Sequence, residues 1–298
     1  MRMLVRTLPS RRLVLHLLNE IFTAHLAWRS YETTASTRDG LRMRVRLPDK
    51  IQERIYLFGL WEPAITRFVK SRLQPGDLFV DVGANVGYYS LLAARCIGPK
   101  GRVVAIEASP AIALQLEENI ALNGLTNIEV VRAAVADRRK TVPMFAATKN
   151  CGQSTTIAST ATQRGYRLEA LIEAYPLHEL IDVERLRCAR LVKVDVEGAE
   201  AQLFDAIQPF LSSFSDHTEW VFELTPGALA EQGRSAAEII QMFAETGYRL
   251  YRIENIYRME GYVRPPNAVL EQITEIPDSR LTIDLVATKR ERRQRVQF

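Results

Sequence analysis

Asp81 ends an apolar run and is followed by Gly83, Asn85 and Gly87 in FVDVGANVGYYSLLAA, residues 79–94. Without a Cβ, glycine lets the backbone approach a ligand closely. The helix that starts next offers free N–H groups, so the turn suits the carboxylate or phosphate of a nucleotide-like cofactor. Asp81 sits where it can receive a cationic amino group; the alternative is a carboxylate that caps the turn through backbone N–H groups. Glu107 closes a second apolar run, VVAIE. An acid at that strand end is placed to accept both hydroxyls of a ribose, and capping the helix after Pro110 is its other reading.

The second chemical run is KVDVEGAE at 193–200. Strand alternation puts Lys193, Asp195 and Glu197 on one side, with Val194 and Val196 on the other. Three ionisable groups in a buried sheet incur a large desolvation cost unless they pair or lie at its open end. Gly198 permits a sharp exit, and Glu200 falls in the first helical turn, where the dipole favours a carboxylate. An ion cluster that fastens strand to helix is the structural reading. The chemical one makes Asp195 the first candidate to take a proton from a hydroxyl, and Glu223, in WVFEL, the second. Lys193 then stabilises a developing alkoxide or holds Asp195 in place. His217 is a weaker base because it precedes its strand. Asp195 and Glu223 are also oxygen donors of the kind a divalent ion takes, but no further adjacent acid pair completes a site, and metal-independent chemistry is the preferred reading.

The elements that must position these residues alternate. Strands are expected at about 78–82, 102–106, 128–131, 191–196, 218–224, 248–253 and, last, 281–287, with helices at 86–97, 110–123, 199–210 and 235–246. Such a rhythm implies an α/β fold with a mostly parallel sheet and helices on both faces. Ahead of it, 31–58 reads as short strands and turns, and Glu62-Pro63 starts a helix with Ile65, Phe68, Val69 and Leu73 on one face. Residues 140–190 break the rhythm with an extra strand pair, a loop and a segment, Leu168, Leu171, Ile172 and Tyr175, at helical spacing. An insertion of that length is often substrate-facing. The division is a lead-in over 1–58, a main domain over 59–290 and a basic tail over 291–298.

Composition sets bounds. The 298 residues are 47% hydrophobic and 25% charged, ordinary for a globular chain, and the net charge of +4 comes from basic ends around a nearly neutral core. Cys96, Cys151 and Cys188 form no paired framework, which fits a reducing cytoplasm. The stretch 13–28, LVLHLLNEIFTAHLAW, is too short and too interrupted to span a bilayer and reads as an amphipathic helix. It can dock on the core, the preferred reading, pair with a second subunit, or make a peripheral membrane contact.

A dinucleotide fingerprint begun at Gly83 would need glycines where Asn85 and Tyr88 stand, whereas G-x-N-x-G with an acid two residues earlier resembles the S-adenosylmethionine (SAM) turn of class I methyltransferases. Glu62-Pro63, PGDLFVDVGANVGYYS, AIEASP at 105–110, Asn119 and Asn123, and KVDVEGAE together resemble the FkbM family of SAM-dependent methyltransferases, over about 60–225. The resemblance implies a Rossmann-like class I methyltransferase fold and methyl transfer, usually to a hydroxyl of a sugar, polyketide or related metabolite. The acceptor is then a small molecule or glycan. The segment 132–135 lacks the acid that many methyltransferases use for adenine, which leaves backbone amides near Ala133 or Ala134, or Asp137, to substitute. The cofactor set is thus Asp81, Gly83, Asn85, Gly87, Glu107 and Ala134. Two other classes stay open: an NAD-dependent oxidoreductase, which should show the missing glycines, and a non-catalytic SAM- or nucleic-acid-binding protein. Nucleic acid is not favoured, because the basic residues cluster at the chain ends.

Overall fold

The computed structural model describes residues 31–147, 154–196, 198–263, 265, 267, 269–273, 282–290 and 295–297. The amphipathic stretch 13–28, Glu197 and most of the basic tail lie outside the described residues. The lead-in is an antiparallel hairpin, β1 (Tyr31–Ser36) and β2 (Arg42–Leu47), with Tyr31 opposite Leu47. Met43, Val45 and Leu47 are buried while Arg42 and Arg44 are exposed, the period of a sheet covered on one face. Strands and turns were expected through residue 58, but α1 (Lys50–Phe58) is a helix. Its signals are the Asp49 cap, whose side chain accepts from the Gln52 amide, and the left-handed Gly59 that ends it. The helix α2 (Pro63–Arg72) follows as expected, with Ile65, Phe68 and Val69 buried.

The main sheet is fed by β3 (Leu78–Val82), α3 (Tyr88–Ile97), β4 (Arg102–Glu107), α4 (Pro110–Leu122) and β5 (Ile128–Arg132). An insertion of β6 (Ala134–Val135), β7 (Lys140–Ala146), β8 (Ser154–Thr155), α5 (Ala158–Arg164) and β9 (Arg167–Tyr175) makes a separate small sheet. The chain returns through β10 (Leu191–Val194), α6 (Glu200–Ile207), β11 (Glu219–Leu224), α7 (Ala236–Glu245), β12 (Arg249–Ile253), β13 (Val269–Ile273), β14 (Ile283–Thr288) and β15 (Arg295–Gln297). Strand order is β15-β13-β12-β14-β11-β10-β3-β4-β5. From β11 to β5 every pairing is parallel, as expected; from β11 to β15 every pairing is antiparallel, so the sheet is mixed. The strand at Ile283–Thr288 is not the last: β15 follows it and pairs with β13.

Segment 167–175 is a strand, not the helix its spacing suggested. It pairs along β7 from Lys140↔Ala174 to Ala146↔Arg167, and Leu168 and Leu171 stay 58% and 70% exposed, where a docked amphipathic helix would have covered them.

Period-two alternation sorts the main sheet into two cores. Phe79, Val103, Leu191, Val221 and Val286 pack with α1 to α4, while Val80, Val104, Val192, Trp220 and Leu285 pack with α6 and α7. By the same period Asp81, Lys193, Glu223 and Asp284 all leave the sheet on the first face, at the carboxyl ends of the parallel strands. Registers pair Asp81 with Lys193 and Glu223 with Asp284. Connections diverge between β3 and β10, the switch point where open α/β sheets bind ligands. One helix face ties the hairpin to this frame: Asn119 and Asn123 accept from the Arg44 and Arg42 amides, Gln115 donates to the Arg44 carbonyl, and Asn119 also donates to the Val86 carbonyl inside the β3–α3 turn.

Candidate active site

The β3–α3 turn is built mainly of backbone. Gly83, with φ +80°, has its carbon so close to β10 that an added Cβ would lie 1.8 Å from the Asp195 carbonyl oxygen. The Gly83 and Ala84 amides both donate to the Ile106 carbonyl at 2.9 Å, and the Asp195 amide donates to the Val82 carbonyl at 2.9 Å. Three strand ends are thereby joined at one point. At Gly87 an added Cβ would lie 2.4 Å from Leu116 Cδ1, so that glycine serves the packing of α3 on α4. Asn85 is left-handed with φ 52°, which turns its amide to donate to Glu107 Oε2 at 2.8 Å. The Ser109 amide donates to Glu107 Oε1 at 2.9 Å.

Beside this turn lies a pocket with about 640 Å³ of open space. Gly83, Asn85, Glu107, Ala134 and Asp195 line it, joined by Met144 and Ser154–Thr156 of the insertion. Burial pushes the Glu107 carboxyl up to about 7, although the Ser109, Asn85 and Ala108 amides pull it down. A carboxylate with one amide on each oxygen keeps lone pairs for hydroxyl donors. The residues present therefore fit a ribose-bearing cofactor.

A smaller pocket, with about 220 Å³ of open space, adjoins on the first sheet face and is lined by Glu62, Lys193, Asp195, Glu223 and Asp284. The Lys193 ammonium stands 3.1 Å from Asp195 Oδ2 and 4.9 Å from the centre of the Tyr89 ring. Burial alone would lower its proton affinity, but Asp195, Asp81 and Glu62 together hold it above the usual lysine value. Glu62 is buried and accepts from the Tyr89 hydroxyl at 2.9 Å and the Tyr257 hydroxyl at 2.8 Å. Burial, then the charge of Asp284, raises its carboxyl well above the ordinary range. Asp284, raised chiefly by burial, accepts from Asn255 Nδ2 at 3.0 Å, and Asn255 Oδ1 in turn accepts from the Ala64 amide at 3.2 Å.

Of the cofactor candidates, Gly83, Asn85, Glu107 and Ala134 line the larger pocket; Asp81 and Gly87 do not. Asp81 is 1% exposed, accepts from the Ser90 hydroxyl at 2.6 Å through Oδ2, and is pushed up to about 6 by burial against the pull of Lys193 and Ser90. Lys193, Asp195 and Glu223 come together in the smaller pocket, and Asp195 lines both. Asp137 instead pairs with Lys140 at 2.6 Å, and His217 lies before β11, where its carbonyl accepts from Arg190. Sequence reasoning gave Glu62 a place only at a helix start and in the family resemblance, and assigned no role to Tyr89, Asn255, Tyr257 or Asp284. Asp284 does leave a trace, as the one acid inside the apolar run LTIDLVA; Tyr257 leaves none. Among the described residues no group of three or more His, Cys, Asp or Glu side chains is arranged to hold a metal ion. None of their helices is long and apolar enough to cross a membrane.

A profile of the methyltransferase FkbM domain matches residues 81–250, more than half of the chain. The chain belongs to the FkbM methyltransferase family. SAM is accordingly its cofactor. Two curated relatives match over shorter stretches. The protein-L-isoaspartate O-methyltransferase of Aeropyrum pernix is 41% identical over 73 residues, 24% of this chain and 27% of the relative. The 23S rRNA (uracil(1939)-C(5))-methyltransferase RlmD of Acinetobacter baylyi is 41% identical over 58 residues, 20% of this chain and 12% of the relative. The chain thus spans about a quarter or less of the length of these relatives. Among solved structures, an FkbM methyltransferase from Methylobacillus flagellatus aligns with 80% of this chain and 52% of its own, at TM-score 0.37 and 13% identity.

Proposed function

We propose that this FkbM methyltransferase transfers the methyl group of SAM to a hydroxyl of a sugar, polyketide or related small molecule or glycan, with Asp195 as the proton acceptor. The observation that carries this reading is the position of Asp195 on the wall shared by the cofactor pocket and the smaller pocket. When bound, SAM supplies a methyl group on a sulfonium centre, open to in-line attack. The chain's part is to align an oxygen with it, exclude water and take one proton. Asp195 is held for that work from two sides: its amide is tied to the Val82 carbonyl, and Lys193 grips Oδ2 at 3.1 Å. Lys193 therefore acts as a positioning residue and as a positive charge near an oxygen losing its proton. Glu223, on the same wall of the smaller pocket, is the second candidate base.

The test has two stages. Calorimetry on the full chain should show binding of SAM and S-adenosylhomocysteine and none of NAD. Transfer of an isotopically labelled methyl group from SAM to a panel of hydroxyl compounds should then yield an alkali-stable ether product. Absence of SAM binding would refute the reading, and a labelled ester, amine or carbon product would replace the hydroxyl with another acceptor group.

A further inference from the structure

The helix α4 begins beside the cofactor pocket without an acid of its own in the first turn. Its N-cap, Ser109, answers the Ile112 amide at 3.3 Å. The carboxylate that the positive end of a helix favours comes instead from the insertion. Glu169 of β9 takes the Ala111 amide on Oε1 at 3.1 Å, and the Ser109 hydroxyl lies 2.9 Å from the same oxygen and 2.8 Å from Oε2.

The strand register shows how a residue of β9 reaches a helix end. Ala170 lies opposite Met144 and Leu168 opposite Phe145, so Glu169 is the extra residue of a bulge, with no partner across β7. Bulges of this kind re-aim a side chain and bend the strand beside it. Met144, next to the bulge, lines the cofactor pocket, and so does Ala134 of β6, which pairs with β9 at Ala174. Ser109 then carries the contact inward. Its hydroxyl is pinned between Glu169 and the Ile112 amide, while its own amide donates to Glu107 Oε1 at 2.9 Å. Ser109 and Glu107 are 1% and 5% exposed, so neither readily exchanges these bonds for water. Fixing the Ser109 side chain fixes the direction of that amide, and the amide sets one oxygen of the pocket's carboxylate.

We propose that Glu169 is a positioning residue for the cofactor: through Ser109 it holds the Glu107 carboxylate in the orientation that meets the ribose hydroxyls of SAM. The proposal rests on Glu107 being the ribose acceptor. A helix cap alone adds stability whatever ligand is bound, whereas a positioning residue adds affinity only where the group it positions has something to meet. Calorimetry on the full chain with two probes separates these: S-adenosylhomocysteine, and its analogue lacking both ribose hydroxyls. Glu169→Ala should weaken S-adenosylhomocysteine binding by about tenfold and change binding of the analogue by less than about twofold. In a Glu107→Ala background the same substitution should cost nothing further, because the two act as one unit. Glu169→Gln keeps an acceptor for the Ser109 hydroxyl and should restore most of the affinity. Ser109→Ala breaks the link from its other end and should show the same selectivity between the probes, which also carries the test should Glu169→Ala fail to fold. Equal losses toward both probes, losses that add to those of Glu107→Ala, or an unchanged affinity for S-adenosylhomocysteine would each overturn the proposal and leave Glu169 as a helix cap. Unchanged affinity in Glu107→Ala would overturn the ribose assignment and this proposal together, and failure of the unaltered protein to bind S-adenosylhomocysteine would overturn the methyl-transfer reading beneath both.

Discussion

The pocket proposed for the cofactor takes its shape from backbone at three neighbouring strand ends, whereas the acidic pocket takes its character from side chains spread from Glu62 to Asp284. The first rests on Gly83, Asn85 and Glu107, all within two consecutive strand–turn units. The second needs α2, β10, β11 and β14 to be adjacent, which only the sheet order secures. Their electrostatics differ accordingly. Glu107 is answered by two amides, while the carboxylates of the acidic pocket lean on tyrosine hydroxyls, one asparagine and one lysine. A pocket made by backbone recognises a constant ligand and tolerates changes in neighbouring side chains. A pocket made by side chains can be retuned residue by residue.

Asp195, the shared wall, should give the largest effect. Asp195→Asn keeps the volume but cannot take a proton, so turnover with a competent acceptor should fall about 10²–10⁴-fold while S-adenosylhomocysteine affinity is largely kept. Equal loss of cofactor affinity would assign Asp195 to the cofactor side of the comparison.

Gly83→Ala probes the backbone side. Because its Cβ would lie 1.8 Å from the Asp195 carbonyl oxygen at φ +80°, the chain crossing must shift. We expect a loss of stability on the order of 3 kcal/mol in urea denaturation, from overpacking and left-handed strain. A cost below about 1 kcal/mol would show that the two strand ends separate easily.

Glu107→Ala removes the acceptor for ribose hydroxyls, and calorimetry should show S-adenosylhomocysteine binding weakened by about 1–3 kcal/mol. Unchanged affinity would remove Glu107 from the cofactor site.

The smallest effect is in pH. Burial places Glu107 at about 7 in the free protein, so its neutral form is the favoured one below that value. Stability from this group is therefore present at acid pH and lost as pH rises through about 7. Hydroxyl donors prefer the charged carboxylate, so cofactor affinity runs the other way: it should rise between about pH 6 and 8, by less than about tenfold per unit, and level off above. Calorimetry at several pH values checks this, and Glu107→Gln should flatten the profile. A slope that persists in that variant would belong to another group.

Much of this architecture was legible in the chain. The strand–turn–helix from Leu78 to Ile97, the acid at the end of β4 and the charged end of β10 were all marked by local pattern, because each is a contiguous run whose period or glycine spacing reflects its own conformation. The failures share a cause as well. Leu168, Leu171, Ile172 and Tyr175 have helical spacing, yet their segment pairs with β7, a partner more than twenty residues upstream. The last strand was misplaced because β15 is recognisable only beside β13.

The sequence by itself pointed to the cofactor class, through the resemblance carried by Gly83, Asn85 and the acid two residues earlier, and to the α/β order of the main domain. It also determined that Lys193 and Asp195 share a strand face, since side-chain direction follows from a period of two. Only the tertiary structure decided that Asp81 turns away from the cofactor pocket toward Lys193, that Gly83 is required by the passage of Asp195, and that Glu62 and Asp284 join the same pocket. Those are relations between segments up to some two hundred residues apart. Local propensity carries no information about them, because they are set by which strands lie side by side and how their ends are staggered.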